Sequence, residues 1–261
     1  MDKAQQSLSP SQKDLYLECR QKWYYEYVEK PKVGRHVSPH LLRGTCCHAA
    51  MAAFYRLPPK VRSLDVLLTV FNGMLEGETH KLVKEAELYD NEEDAVRTAS
   101  SSGTKALTTF WDTLGSDESH WPVTTELRLE RLLPCGISYH GIPDGVWRPG
   151  DRVVVMEFKF PAESKYDMDE YVYWNPQARA YPWLVGEGLT TTVEYTIGGP
   201  RKTVRLPEIY VSKVAVDEEV GVANEVAMAQ ATGIVYPTYD WHCRMCTYKE
   251  LCMVRLTGGE A

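Results

Sequence analysis

Between Gly141-Ile142-Pro143-Asp144 and Glu157-Phe158-Lys159 lie twelve residues, and their order makes the chain double back. Ile137 to Trp147 reads as a strand with Gly141 and Pro143 inside it. Pro149-Gly150-Asp151 supplies a turn, and Arg152 to Phe160, with the apolar run Val153 to Met156, reads as the returning strand. Side chains alternate along a strand, so Glu157 and Lys159 face the same side. Asp144 ends or bends the strand before them. The three side chains can therefore converge at one sheet edge.

Two carboxylates so placed suit a hard divalent cation, with coordination positions left for water and phosphate. Such a cation polarises a phosphoryl group and lowers the pKa of water. A neighbouring lysine orients the water or offsets developing negative charge. Residue types alone thus point to metal-assisted phosphodiester hydrolysis. The plainer alternative is a strand salt bridge beside an ordinary Pro-Asp-Gly turn. Two further features weigh against it. In Arg43-Gly44-Thr45-Cys46-Cys47-His48, glycine lies a turn before a histidine in an alanine-rich helix, and a neutral imidazole is a further ligand suited to manganese as well as magnesium. Gln177 and Tyr181 lie four apart on a helix that opens at Asn175-Pro176, so they share a face.

Around this centre the chain alternates in character. Ser9 to Val28 reads as a helix opened by Ser9-Pro10, with Leu15, Cys19, Trp23 and Tyr27 as its apolar stripe. Pro31 to Pro39 is a loop, and His40 to Tyr55 a second helix. Ser63 to Leu88 follows as a helix or helix pair, Tyr89-Asp90-Asn91 interrupts, and another helix runs to about Leu114. Val123 to Leu133 alternates as a strand. Thr190 to Ile197 and Thr203 to Val211 are two more, and Asp217 to Gln230 is the final helix. The expected segments are 1–59, N-terminal helices; 60–120, a helical insertion; 121–232, the catalytic core; and 233–261, an aromatic and cysteine-rich tail.

His48, Asp144, Glu157-x-Lys159 and Gln177-x-x-x-Tyr181, in that order, resemble the PD-(D/E)XK nuclease superfamily. More narrowly they are similar to its RecB-type branch, which includes the CRISPR-associated iron–sulfur exonucleases and related phage exonucleases. The resemblance reaches from Ser9 to Cys252. It implies an α/β fold with a restriction-endonuclease-like core, a central mixed sheet flanked by helices. It also implies that His48, Asp144, Glu157 and the Phe158 backbone carbonyl are ligands to Mn2+ or Mg2+. Lys159 is then catalytic, and Gln177 and Tyr181 position the substrate strand and the site. Glu126 is a further candidate, supporting a second metal or the lysine.

Seven cysteines are an odd number, and no secretion signal precedes them, which favours ligation over disulfides. Cys243-x2-Cys246-x5-Cys252 supplies three thiolates, and Cys19 is the natural fourth, as in the iron–sulfur RecB-type nucleases. Four thiolates suit a [4Fe–4S] cluster, and also zinc. The spacing is not that of a zinc ribbon, so the cluster is preferred. It would join the N- and C-terminal segments, and its binding energy would be folding energy. Cys46, Cys47 and Cys135 read as small buried hydrophobes.

The net charge of −7 excludes a generic basic coat but not a local basic path. Lys30, Lys32, Arg35 and Arg43, with Arg20, Lys22, Lys60 and Arg62 and the aromatics Trp23, Tyr24 and Tyr25, are candidates for a single-strand path. No apolar run approaches the roughly 20 residues that span a bilayer, and Met1 to Ser11 lacks an apolar core for a signal peptide. The expected setting is therefore cytoplasmic, in a bacterial cell or phage-infected host. The expected activity is a metal-dependent DNA exonuclease acting on single strands or ends, beside a recombination, helicase or CRISPR integrase partner. Two readings compete with it: a non-catalytic nucleic-acid-binding or adaptor protein of nuclease descent, and a zinc-stabilised interaction module.

Overall fold

A computed structural model describes residues 7–33, 37–84, 92–161, 174–186 and 190–258. The sequence-expected break at Tyr89 to Asn91 and the basic Arg35 lie outside the described residues. A two-residue strand β1 (Ser7–Leu8) leads into α1 (Pro10–Glu18). Ser9 accepts from the Gln12 backbone while the Gln12 side chain accepts from the Ser9 N–H, a reciprocal cap that fixes the helix start. The expected single helix to Val28 is interrupted at Cys19, whose backbone is extended. The chain resumes as α2 (Arg20–Tyr24) and a π turn, Tyr25–Glu29.

Next come α3 (Pro39–Arg56), α4 (Leu64–Lys84) and α5 (Glu92–Phe110). Leu42, Cys46, Ala50 and Phe54 of α3 share a buried core with Leu67 and Phe71 of α4 and Ala99, Ala106 and Phe110 of α5.

The strands are β2 (Thr124–Thr125), β3 (Leu129–Leu132), β4 (Ser138–Gly141), β5 (Gly145–Trp147) and β6 (Arg152–Lys159). After them come α6 (Pro176–Val185), β7 (Thr190–Gly198), β8 (Thr203–Arg205), β9 (Ile209–Tyr210), α7 (Lys213–Ala231) and α8 (Lys249–Thr257). Among the described residues the main sheet runs β2-β5-β6-β7-β8, with β9 also on β7. It is mixed: β5 is antiparallel to β6, and β6 is parallel to β7. A smaller sheet runs β1-β4-β3.

Two expected strands are each divided between these sheets. Val123 to Leu133 breaks near Glu126, whose φ of 50° is left-handed. Ile137 to Trp147 breaks before Asp144, where Pro143 has no N–H to give a ladder. The expected strand Thr203 to Val211 likewise divides into β8 and β9.

The period-two pattern of β6 separates two cores. Val153 and Val155 join Val193, Tyr195, Tyr181 and Ala223 beneath α6 and α7. Phe158, with Phe160 just past the strand, faces α3, α4 and α5. The sheet is thus covered by helices on both faces. Among the described residues no helix is long and apolar enough to cross a membrane.

Candidate active site

The ladder between β5 and β6 pairs Gly145 with Met156. Continued by one residue, it sets Asp144 opposite Glu157, which is why the twelve-residue spacing brings two carboxylates together. Asp144 is held from two sides. Its Oδ2 accepts from the Phe158 N–H at 2.7 Å, and its Oδ1 lies 2.9 Å from His48 Nδ1. His48 comes from the middle of α3, and its ring stands edge-on to Phe160 with centroids 5.4 Å apart.

Glu157 and Lys159 project toward α6. Lys159 Nζ lies 3.0 Å from Glu157 Oε2 and 3.3 Å from Gln177 Oε1. The Tyr181 hydroxyl donates to Glu157 Oε1. Gln177 and Tyr181 reach these partners because Asn175 caps α6, accepting from the Gln177 N–H at 2.9 Å, and because Pro176 presets its first turn. The Tyr181 ring packs where Gly141 has no side chain; a Cβ there would stand 3.0 Å from the ring.

Glu157 is 3% exposed. Burial raises its carboxyl above the usual range, and the charge of Asp144 raises it further, while Lys159 and the Tyr181 hydroxyl oppose both. Tyr181 is pushed well above an ordinary tyrosine by burial and then by the Glu157 charge, so it remains a donor. Seven sequence-predicted positions therefore meet here: His48, Asp144, Glu157, Phe158, Lys159, Gln177 and Tyr181. Among the described residues no three His, Cys, Asp or Glu side chains stand close enough together to grip a metal ion.

Glu126 is adjacent through its backbone, its N–H lying 3.4 Å from the Asp144 carbonyl oxygen, but its carboxylate pairs with Arg56. Arg43 departs from the expected basic path. It is 1% exposed, and its Nη2 donates to the Phe160 carbonyl at 2.6 Å. Trp23 and Tyr25 are buried, whereas Lys30 and Lys32 are exposed. Tyr195 was not singled out in the sequence; its ring lies 5.8 Å from Lys159 Nζ. Its only signal was its place in the alternation of β7.

Cys19, Cys243, Cys246 and Cys252 line one cavity of about 160 Å³. Thr238 bridges two of them, its N–H lying 3.4 Å from Cys19 Sγ and its carbonyl 3.6 Å from Cys243 Sγ. The Cys252 thiol is raised by burial and then by the neighbouring Cys246, Cys19 and Cys243. Cys46 and Cys47 are fully buried, and burial pushes both thiols up to about 12, so they pack as small hydrophobes. Cys135 is half-buried and gives its N–H to Asn224.

This arrangement, a mixed sheet with paired carboxylates and a lysine at one strand end, is that of a nuclease class, and the family model of the PD-(D/E)XK nuclease superfamily matches residues 7–253. The chain belongs to that superfamily. Among solved structures it is similar to a protein from Eubacterium rectale named "Putative exonuclease". The TM-score is 0.58 at 13% identity, covering 98% of this chain and 94% of that one, a likeness of fold. The protein SSO0001 is more distant, with a TM-score of 0.35 at 14% identity over 89% of this chain and 93% of that one. No curated protein matches the sequence.

Proposed function

We propose that this chain is a metal-dependent DNA exonuclease of the RecB-type branch, acting on single strands or free ends in DNA processing, recombination, repair or CRISPR-like adaptation. The observation that carries the proposal is the buried Glu157, held between Lys159 and Tyr181 and set opposite Asp144. A carboxylate buried beside a second carboxylate is costly unless a cation compensates it. The donor set, two carboxylates with the His48 imidazole and the Phe158 carbonyl, suits Mg2+ or Mn2+. When bound, such a cation supplies Lewis acidity toward the phosphoryl group and lowers the pKa of water.

The chain's own residues do the rest. Lys159, fixed by Glu157 and Gln177, presents an ammonium that orients the attacking water and offsets charge on the phosphoryl oxygens. The Tyr181 hydroxyl favours the ionised form of Glu157. His48 orients Asp144 through Oδ1 while the Phe158 N–H holds Oδ2. Glu126 braces the Asp144 backbone.

The same proposal assigns Cys19, Cys243, Cys246 and Cys252 to a structural [4Fe–4S] cluster, zinc being the less favoured occupant. Its support is that four thiols from the two ends of the chain face one cavity. Anaerobic protein should contain about four irons and four sulfides per chain, rather than one zinc.

End-labelled linear and closed circular single-stranded DNA, with Mn2+, Mg2+ or chelator, test the activity, with Glu157→Ala and Lys159→Ala run in parallel. The expected result is metal-dependent shortening of the linear strand, lost in both variants with folding retained. Wild-type-like activity in both variants would sink the proposal. Cutting of the circle would make the enzyme an endonuclease. Binding without cleavage under every metal condition would favour the adaptor reading.

A further inference from the structure

A cavity of about 530 Å³ opens between α5 and the turn that joins β7 to β8. Three cations line it, Arg97, Lys105 and Arg201, with the hydroxyl residues Thr98, Ser101 and Ser102. Residues 97, 101 and 105 recur every fourth position, and 98 and 102 stand beside them, so one helix face carries these five, and Arg201 comes from the turn. The opposite face of α5, with Ala95, Ala99, Ala106 and Phe110, is buried in the core. The acidic counterweight is small. Asp94 pairs with Arg97, while Lys105 and Arg201 have no acidic partner among the described residues.

The second wall is fixed. Thr109 Oγ1 of α5 donates to the Gly199 carbonyl at 2.8 Å, the Thr203 hydroxyl lies 3.3 Å from Thr109 Oγ1, and the Gly199 N–H closes the turn on the Lys202 carbonyl at 3.0 Å. A basic, hydroxyl-lined groove between two pinned elements is suited to phosphate oxygens rather than to an apolar ligand.

Its position gives it a role. In the parallel ladder Ile197 stands beside Lys159, so the groove begins where β7 leaves the candidate active site. Ile197 and Pro200 are at most roughly 10 Å apart along the chain, within the length of about three nucleotides in a stacked strand. The body of the protein carries a net charge of −7, so this concentration of positive charge is local.

We infer that this groove holds the sugar–phosphate backbone of the DNA strand a few nucleotides from the bond being cut, with Lys105 and Arg201 as its principal phosphate contacts. The inference rests on the nuclease reading for its ligand.

Salt dependence of binding tests it. A fluorescein-labelled single-stranded oligonucleotide is titrated with the full chain in chelator, followed by anisotropy at several salt concentrations. Wild type is compared with Lys105→Ala/Arg201→Ala and with Lys213→Ala, a cation in the first turn of α7 that lines a cavity with Thr190 at the opposite end of β7. Each phosphate contact contributes about 0.7 to the slope of log K against log salt for a single strand. The double variant should lose about 1.4 of that slope and bind about tenfold more weakly or worse at low salt. It should also raise KM for DNA in manganese, while Lys213→Ala stays near wild type. Both exchanged side chains lie on the surface, and unchanged melting temperatures would establish that the fold is intact. An unchanged slope and KM in the double variant, an equal loss in Lys213→Ala, or no DNA binding by wild type would overturn the groove. Manganese-dependent hydrolysis of bis(p-nitrophenyl) phosphate by wild type, but not by Glu157→Ala, separately reports the nuclease reading. If that activity is absent while the double variant still loses slope, the nuclease reading falls and the groove stands.

Discussion

Replacing Tyr181 by phenylalanine removes one hydroxyl from the candidate site and leaves its packing alone. The ring is fully buried against Gly141, so phenylalanine fits the same space. What is lost is a charge-assisted hydrogen bond to Glu157 Oε1. Bonds of this kind contribute about 1.5–3 kcal/mol, or about ten- to a hundredfold in the ratio of ionised to protonated Glu157. The sign follows from the site. Burial already raises Glu157, and the Tyr181 hydroxyl lowers it, so losing the hydroxyl raises it further. Only the ionised carboxylate serves as a cation ligand. The variant should therefore be most impaired on the acid side of the pH–rate profile and approach wild type on the alkaline side, its acid limb displaced to higher pH. The assay is manganese-dependent kcat/KM on an end-labelled oligonucleotide from roughly pH 5 to 9, with manganese saturating at each point. A loss of the same factor at every pH would refute the reasoning, because Tyr181 would then act on substrate placement and not on the charge of Glu157.

Other consequences follow from the same contacts. Because Glu157 is raised above its ordinary 4.5, the folded chain binds more protons than the unfolded chain just above that pH, and stability falls as pH rises through the window. Glu157→Gln removes this dependence, so the metal-free variant's melting temperature should gain on wild type as pH rises; a constant difference would contradict it. Glu219→Ala leaves Lys13, whose Nζ lies 2.6 and 2.7 Å from the two Glu219 oxygens, as a buried charge paired, among the described residues, only with the half-exposed Asp14. A loss of about 3–5 kcal/mol is expected in urea unfolding, and less than 1 kcal/mol (about the worth of an exposed pair) would show the pair to be hydrated. Gly198→Ala would place a Cβ 2.7 Å from Phe160, the ring behind His48, and should cost about 1–3 kcal/mol and lower activity together; unchanged activity would show that Phe160 does not position His48.

The centre of the site was legible because its geometry is local. Glu157 and Lys159 share a face by strand alternation, and Gln177 and Tyr181 share one by helical spacing. A single turn at Pro149-Gly150-Asp151 returns Asp144 to their side. The divided strands were less legible, since hydrophobic alternation runs through Glu126 and across Gly141 to Gly145 without a change of phase. Which sheet a half joins depends in part on β1, more than a hundred residues before β4, which local pattern does not see. Pro207 was a visible reason for β8 and β9 to be separate. Arg43 misled for a different reason. A charge in a basic run reads as solvated, and its burial depends on a carbonyl 117 residues away.

That buried arginine bears on how the site keeps its dimensions. Helix α3 meets the sheet through apolar contacts, among them Tyr55 stacked against Phe158 of β6, and such contacts are less directional than a hydrogen bond. A hydrogen bond from a buried guanidinium changes steeply, because a displaced donor is left without water or partner. Arg43 donates to Phe160 one residue beyond Lys159, and His48 follows Arg43 by five residues, about 7.5 Å along the same helix. Fixing Arg43 against the end of β6 therefore fixes the height of His48 relative to Asp144. The pair Lys13–Glu219 does the same where α1 meets α7, with the Tyr139 hydroxyl of β4 donating to the same carboxylate at 2.7 Å. His120 and Arg205 do so at Glu194 of β7. Each adds a directional bond that resists a shift between segments otherwise joined by apolar packing. A site whose working contacts are all near 3 Å does not tolerate such a shift, which gives a physical reason for burying charge at these joints despite its desolvation cost.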